Sequence, residues 1–176
     1  MNYSKIKKVD IANGPGCRTT IWVSGCNHKC PGCFNQDLWN FNSGEQFTSD
    51  TIKEVVEALT PSYIAGLSIL GGEPLEPSNQ QQVLKLITAV REQCTNKTIW
   101  LYTGFTWEQL FEKDCRANTQ YLSDILHKID ILVDGPYQIE NKSVGLPFRG
   151  SSNQRFIKVA LTLKLQQIIE ETYERV

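Results

Sequence analysis

The sequence predicts an α/β fold: a partial, open β/α barrel of about five to six mostly parallel strands. Three observations predict it. Short, nearly continuous apolar runs alternate with segments of helical periodicity, the pattern of a parallel sheet joined by crossovers. The 176 residues are too few for a closed eight-fold barrel, which takes about 250. Each of the first four predicted strands also runs directly into a loop containing glycine.

Taken in order, Val9-Asp10-Ile11-Ala12-Asn13-Gly14-Pro15-Gly16-Cys17-Arg18 reads as a short extended piece and a tight turn. Asn-Gly and Pro-Gly mark such turns because glycine accepts positive φ. Thr19-Thr20-Ile21-Trp22-Val23 is β-branched and aromatic, and is the first core strand. Thr51 with Glu54 resembles a capping box, and Ile52, Val55, Val56 and Leu59 form the inward stripe of the helix it opens. Pro61 ends that helix. Gly66-Leu67-Ser68-Ile69-Leu70 is a buried strand. Ser78 with Gln81 caps the next helix, whose core face is Val83, Leu84, Leu86, Ile87 and Val90. A third strand is Thr98-Ile99-Trp100-Leu101-Tyr102, followed by weaker helical segments at 107–112 and 121–128. Ile129-Asp130-Ile131-Leu132-Val133 is a fourth strand and Arg155-Phe156-Ile157-Lys158-Val159 a fifth, on either side of a loop at 143–153. The tail 161–175 looks helical, with Leu161, Leu165, Ile168 and Ile169 on one side.

A chain of this length is expected to form one domain, 1–176, with a substantial core. The net charge of −1 makes no case for nucleic acid or an anionic membrane as partner. No apolar run approaches the roughly 20 residues that span a bilayer. The start, Met1-Asn2-Tyr3-Ser4-Lys5-Ile6-Lys7-Lys8, has basic residues but no apolar stretch after them, so it is not a signal peptide. Its lysines read as a solvated charged end. The expected location is the cytoplasm, where the six cysteines would not be disulfide-bonded. Cys17, Cys94 and Cys115 are scattered and read as ordinary thiols.

Cys26, Cys30 and Cys33 differ: three thiols fall within eight residues at spacing C-x3-C-x2-C. Structural zinc needs four protein ligands, and no matching fourth is at hand. His28, between two of the thiols, is expected to face solvent or to tune a metal group by hydrogen bonding rather than ligate. Three cysteines suit an iron–sulfur cubane with one iron left open. The other strand-end loops are Gly71-Gly72-Glu73-Pro74, Tyr102-Thr103-Gly104-Phe105 and Asp134-Gly135-Pro136-Tyr137. Parallel strands would bring all four loops to one edge and around one cavity. Trp22, Trp39, Trp100 and Trp107 read as core or rim residues.

The cysteine spacing together with Gly71-Gly72-Glu73-Pro74 resembles the radical S-adenosylmethionine superfamily. More narrowly, the chain is similar to the activating proteins of anaerobic (class III) ribonucleoside-triphosphate reductases. The matching pieces are Asn13-Gly14-Pro15-Gly16-Cys17-Arg18, Ser24-Gly25-Cys26, Cys30-Pro31-Gly32-Cys33-Phe34-Asn35, Val133-Asp134-Gly135 and Arg149-Gly150-Ser151-Ser152-Asn153-Gln154. The aromatic residue follows the third cysteine as Phe34, where the wider superfamily has one before it; Gly32 stands there instead.

The resemblance implies a 4Fe-4S cluster on Cys26, Cys30 and Cys33, with S-adenosyl-L-methionine chelated at the fourth iron. It implies reductive cleavage to a 5′-deoxyadenosyl radical, which takes a hydrogen atom from a glycine of the reductase's glycyl-radical subunit. The electron would come from a donor such as a flavodoxin. Gly71 and Gly72 would let backbone approach the cofactor, and Glu73 would accept from its ammonium group. Gly32, Cys33 and Phe34 would lie near the adenine. Thr103 and Asp134 would contact the ribose, the methionine end or a cation, while Arg149 would hold the carboxylate or line the partner-facing rim. Competing readings are another small enzyme of the superfamily (pyruvate formate-lyase activase-like or deazapurine synthase-like) and a non-catalytic metal-binding module.

Overall fold

The structure, a computed structural model, describes residues 1–174. Arg175, the last residue of the predicted tail helix, lies outside the described residues. The architecture is a mixed α/β sheet of eight strands with helices against one face, and the sheet does not close. Its strands are β1 (Asn2–Asp10), β2 (Cys17–Val23), β3 (Glu45–Gln46), β4 (Ile64–Gly71), β5 (Thr98–Tyr102), β6 (Ile131–Asp134), β7 (Arg155–Lys158) and β8 (Glu170–Glu171). In space they run β3-β1-β2-β4-β5-β6-β7-β8. The central pairs β2·β4, β4·β5 and β5·β6 are parallel, and the flanking pairs are antiparallel.

Helices α1 (Ser49–Leu59) and α2 (Pro77–Gln93) provide the crossovers to β4 and β5, and the short α3 (Leu122–Leu126) precedes β6. The period-two alternation of a strand splits the residues of the sheet cleanly. Ile21, Val23, Leu67, Ile69, Ile99, Leu101, Leu132 and Ile157 join Val55, Leu59, Val83, Leu86, Ile87 and Val90 in the main core. On the opposite face Trp100, Ile131, Val133 and Phe156 form a second cluster, with Tyr102, Phe148 and Tyr173 packed against it. Arg18 lies on that second face, fully buried, its guanidinium over the Trp100 ring.

Several expectations need correction. The charged start of the chain is strand β1, paired antiparallel with β2, because its alternating lysines face water while Tyr3 and Asp10 turn inward. β7 runs antiparallel to β6, since only a loop joins them and no crossover returns the chain to the starting edge. The predicted fifth strand is therefore antiparallel to its neighbour, and the parallel run is β2, β4, β5 and β6. The α1 capping box opens three residues earlier, with Thr48 as N-cap and Thr51 returning the bond to the Thr48 N–H at 3.1 Å. α2 starts at Pro77, whose missing N–H is no loss there, so Ser78 lies inside the helix. The tail forms only α4 (Val159–Leu165), ended by Gln166 in the left-handed region, before β8.

Candidate active site

The four parallel strands all end at one edge of the sheet, as the order of their crossovers requires. β2 delivers the cysteine loop, β4 Gly71-Gly72-Glu73-Pro74, β5 Thr103 and Gly104, and β6 Gly135 and Tyr137. These loops surround one cavity of about 370 Å³, within the range of small-molecule sites. Cys26, Cys30, Cys33, Phe34, Gly71, Gly72, Glu73, Thr103 and Arg149 all line it. Two expected residues do not. Gly32 turns away at φ +72, and Ile139 covers it so closely that a β-carbon would lie 2.6 Å from its Cδ1. Asp134 is fully buried behind the wall, where it accepts from the Trp107 N–H (2.7 Å) and from Arg155.

The cysteine loop is held by backbone and by a buried carboxylate. Gly25 N–H donates to Leu38 O (2.8 Å) and Cys26 N–H to Trp39 O (3.2 Å). Glu76, 1% exposed, accepts from the Asn27 N–H (2.9 Å) and side-chain amide (3.1 Å) and pairs with Arg116. The Asn35 amide reaches across to Gly71 O at 3.3 Å. Burial pushes the Cys26 thiol up to about 12, with the Glu73 charge adding to it, and burial also raises Cys30. Left to themselves these two sulfurs hold their protons at neutral pH. A cationic metal group is what would turn them into thiolates, because a ligating thiol gives up its proton to the metal.

The glycine loop sits against this loop backbone to backbone. Gly72 N–H donates to Val23 O (2.7 Å) and Glu73 N–H to Gly25 O (2.8 Å). A β-carbon at Gly72 would lie 2.6 Å from Gly25 O, and one at Gly71, where φ is +119, would lie 2.6 Å from Val23 O. Both glycines are thus required by loop-to-loop packing before any ligand is considered. Glu73 is 1% exposed. Its Oε1 accepts from Leu75 N–H (2.8 Å) and the Thr103 hydroxyl (2.9 Å), and its Oε2 from Gly104 N–H (2.7 Å). His28 Nε2 lies 3.1 Å from the same Oε2 without the alignment of a hydrogen bond, its ring edge-on to Phe105. His28 therefore faces the cavity wall, not solvent. The carboxylate is saturated by protein donors and knits the loops after β2, β4 and β5 together.

The segment Arg149-Gly150-Ser151-Ser152-Asn153-Gln154 forms a clamp on the loop after β6. The Gln154 amide donates to Gly135 O and accepts from Gly150 and Ser151, while Asn153 holds Pro136 O and the Ser151 hydroxyl accepts from Gln138 N–H. Arg149 stacks over Phe156 and donates from Nη1 to Gln154 O, but its buried Nε has no partner. Phe34 and Tyr137 stack at 5.2 Å, with the Lys142 ammonium 5.0 Å over the Phe34 ring. Tyr102 and Tyr137, in strand-end loops expected around the cavity, and His28, in the cysteine loop, line it as well. Asn13, Trp22 and Trp39 also line it, and nothing in spacing flags the two tryptophans, expected only as core or rim residues.

Three cysteines on the wall of one cavity at the carboxyl edge of a parallel sheet define the class: an α/β protein with a thiol-lined small-molecule site. The chain belongs to the anaerobic ribonucleoside-triphosphate reductase-activating proteins, within the family described as "4Fe-4S single cluster domain", which matches residues 12–157. It is similar to the activating protein of Enterobacteria phage T4, 39% identical over 155 residues, covering 88% of this chain and 92% of the relative. The same protein of Vibrio cholerae is 40% identical and that of Escherichia coli K12 41%, each over 156 residues, 88% of this chain and 96% of the relative.

Proposed function

We propose that this chain activates an anaerobic ribonucleoside-triphosphate reductase by generating a glycyl radical on it. One observation carries the reading: the three thiols share a cavity with the loops after β4, β5 and β6, so a cluster there adjoins a space for a small molecule. Cys26, Cys30 and Cys33 would hold the 4Fe-4S cluster. When bound, the cluster would supply the electron for reductive cleavage of S-adenosyl-L-methionine, the chemistry by which a hydrogen atom would be removed from a glycine of the reductase.

The chain's own residues position and shield these groups. Glu73 holds the wall through Thr103, Gly104 and Leu75, so its contribution to cofactor binding is the shape of the loop; the Gly71 and Gly72 backbone lines the site. Arg149, with a free Nε–H on the wall, is the donor for the cofactor's carboxylate. Phe34 and Tyr137 flank the space for the adenine, and Cys33 and Gly32 shape the turn beside it. Thr103 is committed to Glu73, and Asp134 acts behind the wall by fixing Arg155 and Trp107.

The sheet is accordingly an open β/α barrel of the radical S-adenosylmethionine type, and 1–176 one domain. No helix among the described residues is long and apolar enough to cross a membrane; with a net charge of −1, we place the protein in the cytoplasm, away from nucleic acid and membranes. Its electron donor is a one-electron carrier such as a flavodoxin.

The test is anaerobic reconstitution with iron and sulfide, then reduction with S-adenosylmethionine and the reductase subunit. A glycyl EPR doublet on the subunit is expected. 5′-Deoxyadenosine without that doublet removes this partner and leaves an activase of another substrate. One zinc per chain with no iron or sulfide overturns the enzyme reading altogether.

A further inference from the structure

Among the described residues, three nitrogens of cavity-lining side chains are buried with no hydrogen-bond partner: Arg149 Nε, His28 Nε2, which lies beside the Glu73 carboxylate, and the indole Nε1 of Trp39. A buried donor with no acceptor has lost its hydration with nothing in exchange. A chain keeps one when something outside the polypeptide accepts from it. The other tryptophans have evident structural roles. Trp22 carries the Lys5 ammonium at 4.5 Å, Trp100 packs among Phe148, Phe156 and Tyr173, and Trp107 stacks on Phe111. Trp39 shows no such ring partner among the described residues.

Its main chain is fixed independently of its ring. Trp39 O accepts the Cys26 N–H, and Trp39 N–H donates to Gln36 O at 3.1 Å. Trp39 is thereby tied beside Cys26, and it lines the cavity with its indole Nε1 buried and unpartnered. An indole N–H is a donor only, so its counterpart must be an acceptor atom.

We propose that Trp39 is a cofactor-binding residue whose Nε1–H donates to an oxygen or nitrogen acceptor of S-adenosylmethionine in the cavity. The proposal rests on the reading that this cofactor occupies the site. It gives two effects of opposite sign. In Trp39→Phe the aromatic bulk stays and only the donor is lost. The cluster-free chain is then as stable as the parent or more so, because an orphaned donor has been removed. The cluster-loaded protein binds S-adenosylmethionine about tenfold more weakly, because one hydrogen bond is missing.

The experiment measures three quantities on the parent, on Trp39→Phe and on Trp39→His, which returns a ring N–H. These are the urea midpoint of the cluster-free chain, iron per chain after anaerobic loading, and the calorimetric Kd for S-adenosylmethionine. Unchanged iron, an unchanged or raised midpoint and a tenfold weaker Kd in Trp39→Phe, partly recovered in Trp39→His, support the proposal. A Kd within twofold of the parent overturns it. So does a lowered midpoint together with lost iron, which marks a packing role. A loaded parent that binds no S-adenosylmethionine overturns instead the reading of the cavity on which this rests.

Discussion

A β-carbon at Gly72 would sit 2.6 Å from the carbonyl oxygen of Gly25, one residue before Cys26. The obstacle is backbone, which cannot swing aside as a side-chain end can. Replacing Gly72 with Val therefore shifts the cysteine loop as well as the cavity wall. Gly72→Val is expected to lower iron per chain after anaerobic loading together with S-adenosylmethionine affinity. Cys94→Ala, remote from the cavity, keeps the iron content of the parent. Full iron content in Gly72→Val would mean the glycine loop serves the ligand alone. The sequence singles out Cys26, Cys30 and Cys33 by type and spacing, and all three line the cavity. It says less where one residue type serves two ends. The sequence marks Glu73 and Asp134 as carboxylates at a strand end, but which groups saturate them depends on Thr103, Gly104, Trp107 and Arg155, brought together from distant segments.

At the scale of elements, periodicity found β2, β4, β5, α1 and α2, because each buries a continuous apolar run or a clear stripe. It missed β1, whose outward lysines mask a strand that has only one buried face, and it could not give the direction of β7. That direction depends on pairing across the sheet, which no local pattern encodes. Once in place, β7 is tied to the segment after β5 by Arg155, which donates from Nε to Asp134 (3.0 Å) and from Nη1 and Nη2 to Glu108 (3.0 and 2.8 Å). The Arg155 guanidinium holds the Glu108 carboxyl down to about 2, against about 4.3 in an unfolded chain. A carboxylate depressed on folding contributes stability that is fully present above its unfolded value and is lost as pH falls through the folded one. Glu108 is 56% exposed, so solvent screening leaves the pair worth about 0–1 kcal/mol. The stability gap between the parent and Glu108→Gln in urea melts should be constant from pH 7 to about 5, shrink below about 4.3, and vanish near pH 2. A gap that does not change with pH would assign the contact to packing.

The whole molecule depends on how the second face of the sheet is filled, since that face carries the cavity at one end and must be closed at the other. Arg18 does the closing. Fully buried on β2, it donates from Nε to the Ser68 hydroxyl (2.8 Å), from Nη1 to Thr98 Oγ1 (2.9 Å), and from Nη2 to Leu67 O (2.7 Å) and Thr98 O (3.1 Å). One cation thereby ties β2, β4 and β5 across the face, and Ser68 passes the connection on to Asn13 O on the cavity wall. Burial lowers its pKa to about 10, still far above neutrality, so the charge is retained and is balanced by carbonyl and hydroxyl dipoles and the Trp100 ring. Removing a buried hub of this kind leaves several acceptors unpaired at about 1–3 kcal/mol each. Arg18→Ala, which also opens a void, should cost about 3 kcal/mol or more, read from the urea midpoint at unchanged slope. Arg18→Met restores most of the stem volume and separates packing from bonding. If the four hydrogen bonds carry the effect, Arg18→Met remains well below the parent; recovery to within about 1 kcal/mol would show that filled volume, not the bonded cation, closes this end.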